Sequence, residues 1–476
     1  MIKQKSFIFD LNRCTGCGAC IVACAIENGG KQDLQWREVY TFNETRHPGL
    51  PLFHLSMACN HCVSPACKKA CPALAYSKEK GTGAVVHHTE RCMGCTYCTW
   101  ACPYDAPRYN VAKGVIEKCD FCIDRLKEGE APACVCACPT NALRIEDMQE
   151  EIAEAASEIG RVEGFTESVI QPAIRFIGLR QRQRVPEATA PPSEETVNEL
   201  FESSQRIPPK KITLKKEWAL LLFTTIASLL TAWLTAMVLT PLAINRVIFL
   251  GAGVVGMGLT VIHLGKKFRA YRAVFNVWGS WLSREILFFS LFLFLSGLYL
   301  VFFPHIVLLG KVAAAVGFIS LFSIDKIYIF AMNAKGYGRA VGSKQAGLFH
   351  FHSAHTLLNG LYLTGILTVN GFVFAIVGGI KLFLYLQRKW LFRQVKRKPR
   401  PLVSLLRVSL GFFVPLILLV LRPENIFVYY KYVIIGVIVG EVIDRTEYYD
   451  EMDIITPRKQ MLMDLKKVLK EMVGAR

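Results

Sequence analysis

The sequence predicts two unlike parts, an α+β ferredoxin-like head followed by an all-α bundle of eight transmembrane helices. Three observations lead there. All 17 cysteines of the 476-residue chain lie between Cys14 and Cys138, and their spacing repeats four times. From Trp218 onward, long charge-free apolar runs alternate with basic loops. An apolar fraction of 52% also excludes disorder as a description of the whole chain. The net charge of +18 is unevenly placed: residues 1–146 carry 17 Lys/Arg against 14 Asp/Glu, residues 147–215 carry 9 against 12, and residues 216–476 carry 30 against 12. That distribution speaks for a membrane and against a nucleic-acid partner.

The head comes first. Its N-terminus, MIKQKSFIFDLNRC, has neither an apolar h-region nor a twin-arginine pair, so no export signal is expected. In a reduced compartment, bunched cysteines argue for metal and not for disulfides. Cys14, Cys17, Cys20 and Cys24 read C-x2-C-x2-C-x3-C; Cys59, Cys62, Cys67 and Cys71 read C-x2-C-x4-C-x3-C. Cys92, Cys95, Cys98 and Cys102 repeat the first spacing, and Cys119, Cys122, Cys134 and Cys138 read C-x2-C-x11-C-x3-C. Cys136 is left over, and it reads as a small buried or half-exposed residue and not as a ligand. Zinc would take four ligands from two C-x2-C pairs and has no use for a third cysteine two residues on. Three thiolates on one tight loop reach three irons of one [4Fe–4S] cluster, while the fourth, three residues on, turns to the other cluster of a pair.

Ligands that cross over require the motifs to pair. Nesting suggests one cluster on Cys14, Cys17, Cys20 and Cys138, with its partner on Cys119, Cys122, Cys134 and Cys24. The inner pair would use Cys59, Cys62, Cys67 and Cys102, then Cys92, Cys95, Cys98 and Cys71. The segments FIFDLNRCTGCGAC, MACNHCVSPACKKACP, ERCMGCTYCTWACPYDAPRYN and KCDFCIDRLKEG resemble the four-cluster iron–sulfur subunit of the dimethyl sulfoxide reductase family. The resemblance covers about residues 1–146. It implies the same nested ligation, and a separate molybdopterin-containing catalytic subunit as partner. In nitrate-reductase relatives a tryptophan replaces one third-motif cysteine and leaves a three-iron cluster. Here Cys95 is present and Trp100 lies off the ligand positions, so four [4Fe–4S] clusters are expected.

Residues 147–215 lose the cysteines, turn acidic, then become Pro-rich around Pro186, Pro191 and Pro192. They read as a linker, partly disordered, with a short candidate helix at Glu150–Ile159. The membrane half spans 216–450. The run from Trp218 to Asn245 is charge-free for 28 residues, more than the roughly 20 that cross a bilayer. Further candidate spans are Val247–Gly265, Ile286–Phe303, Ile306–Ile324, Leu348–Val369, Phe372–Gln387, Leu402–Leu421 and Ile426–Ile443. Residues 451–476 read as a cytoplasmic C-terminal tail.

The loops carry twenty Lys/Arg on one side against four on the other, which places both termini and the head in the cytoplasm. The chain is therefore expected in the bacterial cytoplasmic (inner) membrane as a multi-pass protein. The alternative is export of the folded head by a twin-arginine signal on its partner, as happens in the family it resembles.

Ionisable groups at span edges are costly and usually functional. His263 ends the second span and Glu285 opens the third, both on the basic side. The stretch HLGKKFRAYRAVFNVWGSWLSREI resembles the quinol-oxidising anchor subunit of dimethyl sulfoxide reductase, where the matching histidine and glutamate belong to the menaquinol site. GEVIDRTEYY resembles that anchor too, through Glu441 and Arg445. Shedding two protons with two electrons suits a histidine and a carboxylate. The residues alone also allow interfacial snorkelling of His263 and a helix N-terminal role for Glu285. His350, His352 and His355 open the fifth span and read as interfacial, without haem.

These readings converge on an electron-transfer and anchor chain. It would oxidise menaquinol from the quinone pool and pass electrons through its clusters to the catalytic subunit, carrying at most the quinol half-reaction itself. Two other readings stay open: reversed flow, with a dehydrogenase partner reducing quinone, or a component of a redox-driven ion pump. The last would want carboxylates or lysines at mid-span, where only Lys381 and Arg407 are expected.

Overall fold

A computed structural model of the chain describes residues 4–29, 34–47, 50–148, 162–165, 170–180, 211–243, 245–333, 352–394, 401–421, 426–452, 454, 456–474. It divides into two units, one of residues 1–209, 334–336 and 454–476, the other of 210–333 and 337–453. The candidate helix Glu150–Ile159, the prolines at 186, 191 and 192, and His350 lie outside the described residues.

The first unit is built from short strands that hold the cysteine loops. β1 (Lys5–Asp10) carries the apolar run Phe7, Ile8 and Phe9, and all three are buried. β1 ends just before Cys14. The strand following Cys138, β8 (Leu143–Asp147), pairs antiparallel with it, Phe7 opposite Ile145. This pairing draws the first and fourth motifs to one place. Between them come three hairpins: β2 (Glu38–Phe42) with β3 (Phe53–Met57), β4 (Tyr76–Lys78) with β5 (Val85–His87), and β6 (Arg108–Asn110) with β7 (Val115–Glu117). The β4–β5 hairpin follows Cys71 and precedes Cys92, so it folds the second motif against the third. Nesting in sequence thus becomes nesting in space.

Described parts of the linker, which reads as a tether lying against the head or its partner, pack into this unit, and so does the C-terminal stretch. β9 (Ile174–Ile177) adds a parallel third strand to β1, and Phe165 stacks on Tyr104 with centroids 5.1 Å apart. Residues Pro457–Gly474 form a helix whose Met461, Leu465 and Leu469, spaced four apart, are buried. Gly164 N–H donates to Asp464 Oδ2 at 2.9 Å. Gly164 has φ 85°, and a Cβ there would stand 2.7 Å from Met461 Cε.

The second unit is helical. A helical segment occurs in each of the eight predicted spans, but among the described residues only four helices are long and apolar enough to cross a membrane: Leu214–Leu239, Trp281–Phe302, Val307–Phe330 and Gly371–Trp390. A fifth is counted if Arg246–Ile262 and Lys267–Val274, bent by 106°, are taken as one. The count of eight is therefore not established. The fifth predicted span shrinks to a helix of 12 residues, Thr356–Leu367. At 1.5 Å per residue it is too short to span a bilayer. Its N-terminus is capped from a neighbouring helix: Asp325 Oδ1 accepts from Thr356 N–H and Oγ1, both at 2.8 Å, and Asp325 Oδ2 from Leu357 N–H at 3.0 Å. That cap replaces the partners the missing turns would supply.

Candidate functional site

The residue preceding the second cysteine of each C-x2-C is wound left-handed: Gly16 at φ 72°, His61 at 41°, Gly94 at 74° and Phe121 at 74°. This turn lets both thiols of a pair point the same way. Glycine does it without strain, whereas His61 and Phe121 do it at a cost and must be held by their surroundings. Gly16 is also obliged by space, since a Cβ would lie 2.7 Å from the His54 ring.

Three of the four nested cysteine sets each line one cavity. Cys14, Cys17 and Cys20 share theirs with Cys138. Cys59, Cys62 and Cys67 share theirs with Cys102. Cys92, Cys95 and Cys98 share theirs with Cys71. In the fourth set, Cys24 is the strongest electrostatic neighbour of Cys119, and Cys122 lies near both Cys134 and Cys24. No three Cys, His or carboxylate groups among the described residues converge on a single ion. Thiols standing around a cavity, four at a time, suit a cubane better than zinc.

Donors surround the sulfurs. Backbone N–H groups of Ala75, Gly94 and Phe121 reach Cys71, Cys92 and Cys119 Sγ at 3.3, 3.4 and 3.4 Å. Burial pushes the Cys24 and Cys71 thiols up to about 11, so neither ionises unaided at neutral pH. Binding iron would supply the charge that expels those protons. Two cations are buried in this region. Arg37 Nη1 donates to Ser56 Oγ at 3.0 Å, and its strongest thiol neighbours are Cys134 and Cys119. Lys118 donates to the Val85 and Cys119 carbonyls, the latter at 2.6 Å, and lines the cavity of Cys59, Cys62, Cys67 and Cys102. Burial works against the Lys118 charge, and the Cys59, Cys67 and Cys119 thiols outweigh it, raising its pKa. Cys136 is exposed, its Sγ 3.5 Å from the Ala131 carbonyl.

In the helical unit, His263 is half-buried at the end of Arg246–Ile262, and Glu285 is buried one turn into Trp281–Gly297. No hydrogen bond or ion pair joins them among the described contacts. Glu285 instead has Arg445 and Asp325 as its charged neighbours. The two stretches that resemble the anchor subunit are therefore electrostatic neighbours through Glu285 and Arg445, with no hydrogen bond or ion pair between these two among the described residues. The bent loop between His263 and Glu285 carries Phe268 and Trp278, 99% and 93% exposed, as expected of interfacial anchors.

A larger constellation escaped the sequence reading. Lys381 pairs with Glu441 at 2.9 Å and also donates to Asn359 Oδ1 and the Ser353 carbonyl. Arg407 Nη2 reaches Glu441 at 2.9 Å and Asp444 at 3.1 Å. Arg388 joins Asp444 at 3.0 Å, Glu447 at 3.1 Å and Glu451 at 3.2 Å; Lys389 closes on Glu447 at 2.7 Å. Lys381 and Arg407 are thus not alone at depth. The four acids follow one another at intervals of three, three and four residues, one face of the helix Ile426–Glu451. Hydropathy ends the span at Ile443 and so hides the stripe; its period was the available signal.

Residues 51–148 match the 4Fe-4S dicluster domain family, and residues 214–335 match the family of the DMSO reductase anchor subunit, DmsC. Over 158 residues the sequence is 39% identical to the B component of anaerobic dimethyl sulfoxide reductase from Haemophilus influenzae, an alignment covering 31% of this chain and 77% of that protein. It is 40% identical, over 32% and 77%, to the corresponding B component from Escherichia coli. The B component of sulfite dehydrogenase from Allochromatium vinosum is 31% identical over 38% of this chain and 85% of its own length.

Proposed function

The protein is a member of the iron–sulfur family typified by the B component of anaerobic dimethyl sulfoxide reductase, here fused to an anchor domain, and we propose that it oxidises menaquinol and delivers the electrons to a separate catalytic subunit. Its role as the iron–sulfur electron-transfer and membrane-anchor part of an oxidoreductase of the molybdopterin family follows from that membership. The electron-transfer part of the proposal rests chiefly on one observation, the four-cysteine cavities fed by crossed motifs.

In this proposal the sixteen motif cysteines hold four [4Fe–4S] clusters, which supply one-electron storage along the path. The chain's own groups do the rest. Backbone N–H donors and the buried Arg37 and Lys118 hold negative charge on the sulfurs. Glu285 accepts a proton from the quinol, Arg445 orients it, and His263 takes the second at the loop edge. Both protons leave on the basic side, which the bias of Lys/Arg in the loops assigns, together with the head, to the cytoplasmic side of a bacterial inner membrane. The partner is a molybdopterin-containing subunit, and the terminal substrate is that partner's own. Reversed flow is kept as the second reading because one similar protein is named as part of a sulfite dehydrogenase.

The test is purification of the chain with its partners, followed by iron and molybdenum analysis and cluster reduction by a menaquinol analogue. His263→Arg and Glu285→Ala should abolish quinol-dependent reduction yet leave dithionite reduction at the parent level. Parent rates of quinol oxidation in both variants would refute the site. A reporter fused after Arg476 should report cytoplasm, and one within Thr368–Gly371 the opposite side.

A further inference from the structure

Between the two cluster pairs stands a small group of side chains that ligation does not require. His61 belongs to the second motif, between Cys59 and Cys62, yet its ring turns to the fourth. It stacks on Phe121 with centroids 4.4 Å apart and planes 8° apart. Both residues hold the unfavourable left-handed conformation, each at the same place in its own C-x2-C. The stack therefore joins two equivalent corners of two motifs.

Hydrogen bonding fixes the His61 tautomer. Val85 N–H donates to Nδ1 at 3.0 Å, so Nδ1 carries a lone pair and the proton resides on Nε2. Nε2 lies 3.6 Å from Cys119 Sγ, within reach of a sulfur acceptor. The ring is 1% exposed, which makes this a dry contact. Lys118 lies alongside and is 3% exposed. It donates to the carbonyl of the same Val85 that fixes the ring, and to the Cys119 carbonyl. It also lines the Cys59, Cys62, Cys67 and Cys102 cavity. No carboxylate lies within ion-pair distance of it among the described residues.

We propose that His61 and Lys118 form the polar bridge across which an electron passes between the inner and outer cluster pairs. His61 donates to a ligand sulfur of the outer cluster on Cys24, Cys119, Cys122 and Cys134. Lys118 places one fixed positive charge between that cluster and the inner one on Cys59, Cys62, Cys67 and Cys102. The step moves one electron and breaks no bond: the donor cluster is oxidised, the acceptor reduced, and no proton need transfer. A reduced cluster carries one more negative charge, so a hydrogen bond to its sulfur and a nearby cation both stabilise the reduced form and raise its potential. Placing both at the junction raises the potentials of the two clusters that must exchange the electron, and leaves the far members of each pair unaffected. The proposal rests on the nested ligand assignment.

EPR-monitored redox titration of the purified, cluster-loaded full chain tests it. Iron content and the number of centres in the parent check the ligand assignment by themselves. Given that, His61→Phe, which keeps the stack and loses the donor, should lower the midpoint potential of one centre. Lys118→Met should lower two, one of them the centre moved by His61→Phe. His61→Gly, which suits the left-handed backbone, and Lys118→Gln are the replacements should either variant load poorly. In the parent, one reduced centre should show a nitrogen coupling that changes from the 14N to the 15N pattern when histidine is labelled with 15N, a readout that needs no variant. Unmoved midpoints, or no such coupling in a parent with four centres, would overturn the bridge while leaving the ligand assignment standing.

Discussion

The head and the membrane unit both bury arginine and lysine, but opposite them they place different anions. In the head, Arg37 and Lys118 face thiols, and among the described residues neither has a carboxylate within ion-pair distance. In the membrane unit, Lys381, Arg388, Lys389 and Arg407 face Glu441, Asp444, Glu447 and Glu451, four charges against four. The helical network balances itself within the polypeptide. The charge balance of the head depends on what its thiols become when they bind iron. That network is thus complete as a polypeptide, whereas the cysteine loops of the head are a mould for an inorganic group.

Removing iron should separate the two most sharply. Under a chelator and reductant the head should lose its cooperative fold, because its strands are short and its core is divided by the ligand cavities. The helical unit should keep its helicity. Hydrogen exchange checks this: amides of β1 and β8 should lose protection while those of Trp281–Gly297 retain it. Equal loss in both units would break the comparison.

The next largest effect should come from unbalancing the membrane network. Arg407→Ala leaves Glu441 and Asp444 without the guanidinium that joins them, and removing one partner of a buried ionic group costs about 3–5 kcal/mol. Replacing Lys381 and Glu441 together, by Met and Gln, should cost less than Lys381→Met alone, because the network then holds three charges against three and Arg407 keeps Asp444 as its partner. Thermal unfolding in detergent measures both. A double variant worse than the single one would mean the pair acts through packing and not through charge.

Geometry around the same arginine gives a smaller effect. A Cβ on Gly411 would lie 1.9 Å from Arg407 Nη1, and one on Gly440 would lie 2.9 Å from the Gly411 Cα. The two glycines let the helices approach closely enough to enclose the guanidinium. Gly411→Ala should destabilise by about 1–3 kcal/mol through overpacking. Unchanged melting would show that Arg407 has room to move.

How much of this was legible in the sequence differs between the units for a physical reason. Cluster ligation is local: a cubane needs three cysteines within one tight loop, so spacing alone displays Cys14, Cys17 and Cys20. That the motifs pair is also readable, because ligands cross over, whereas the nested choice of pairs is one that the order of motifs suggests and the resemblance implies. What spacing does not display is the group between the pairs, His61, Phe121 and Lys118, since a contact such as that of His61 with Cys119 joins residues 58 positions apart. In the membrane half, hydropathy finds apolar runs and treats charge as their end. Glu441 and Asp444 therefore mark a boundary in sequence and an interior in structure. The short helix Thr356–Leu367 escaped for a related reason, as its missing turns are replaced by a cap from Asp325.

The smallest effect concerns the seventeenth cysteine, the one thiol in the head outside the nested sets. Cys136 lies in the short helix Ala133–Cys136 between Cys134 and Cys138, so proximity in sequence alone would make it a candidate ligand. Its surroundings point elsewhere. The side chain is exposed, its thiol reaches the Ala131 carbonyl at 3.5 Å, and Arg125 Nη2 approaches its sulfur at 3.8 Å. A hydroxyl can make both contacts, and each is a weak surface interaction with sulfur. Cys136→Ser should therefore change stability by no more than about 0.5 kcal/mol and leave the iron content and every EPR centre as in the parent. Cys134→Ser, two residues away and buried, should cost a cluster. If instead the exposed position loses a centre and the buried one does not, the crossed assignment of the outer pair is wrong, and with it the placing of the head's charge balance on its sixteen motif thiols.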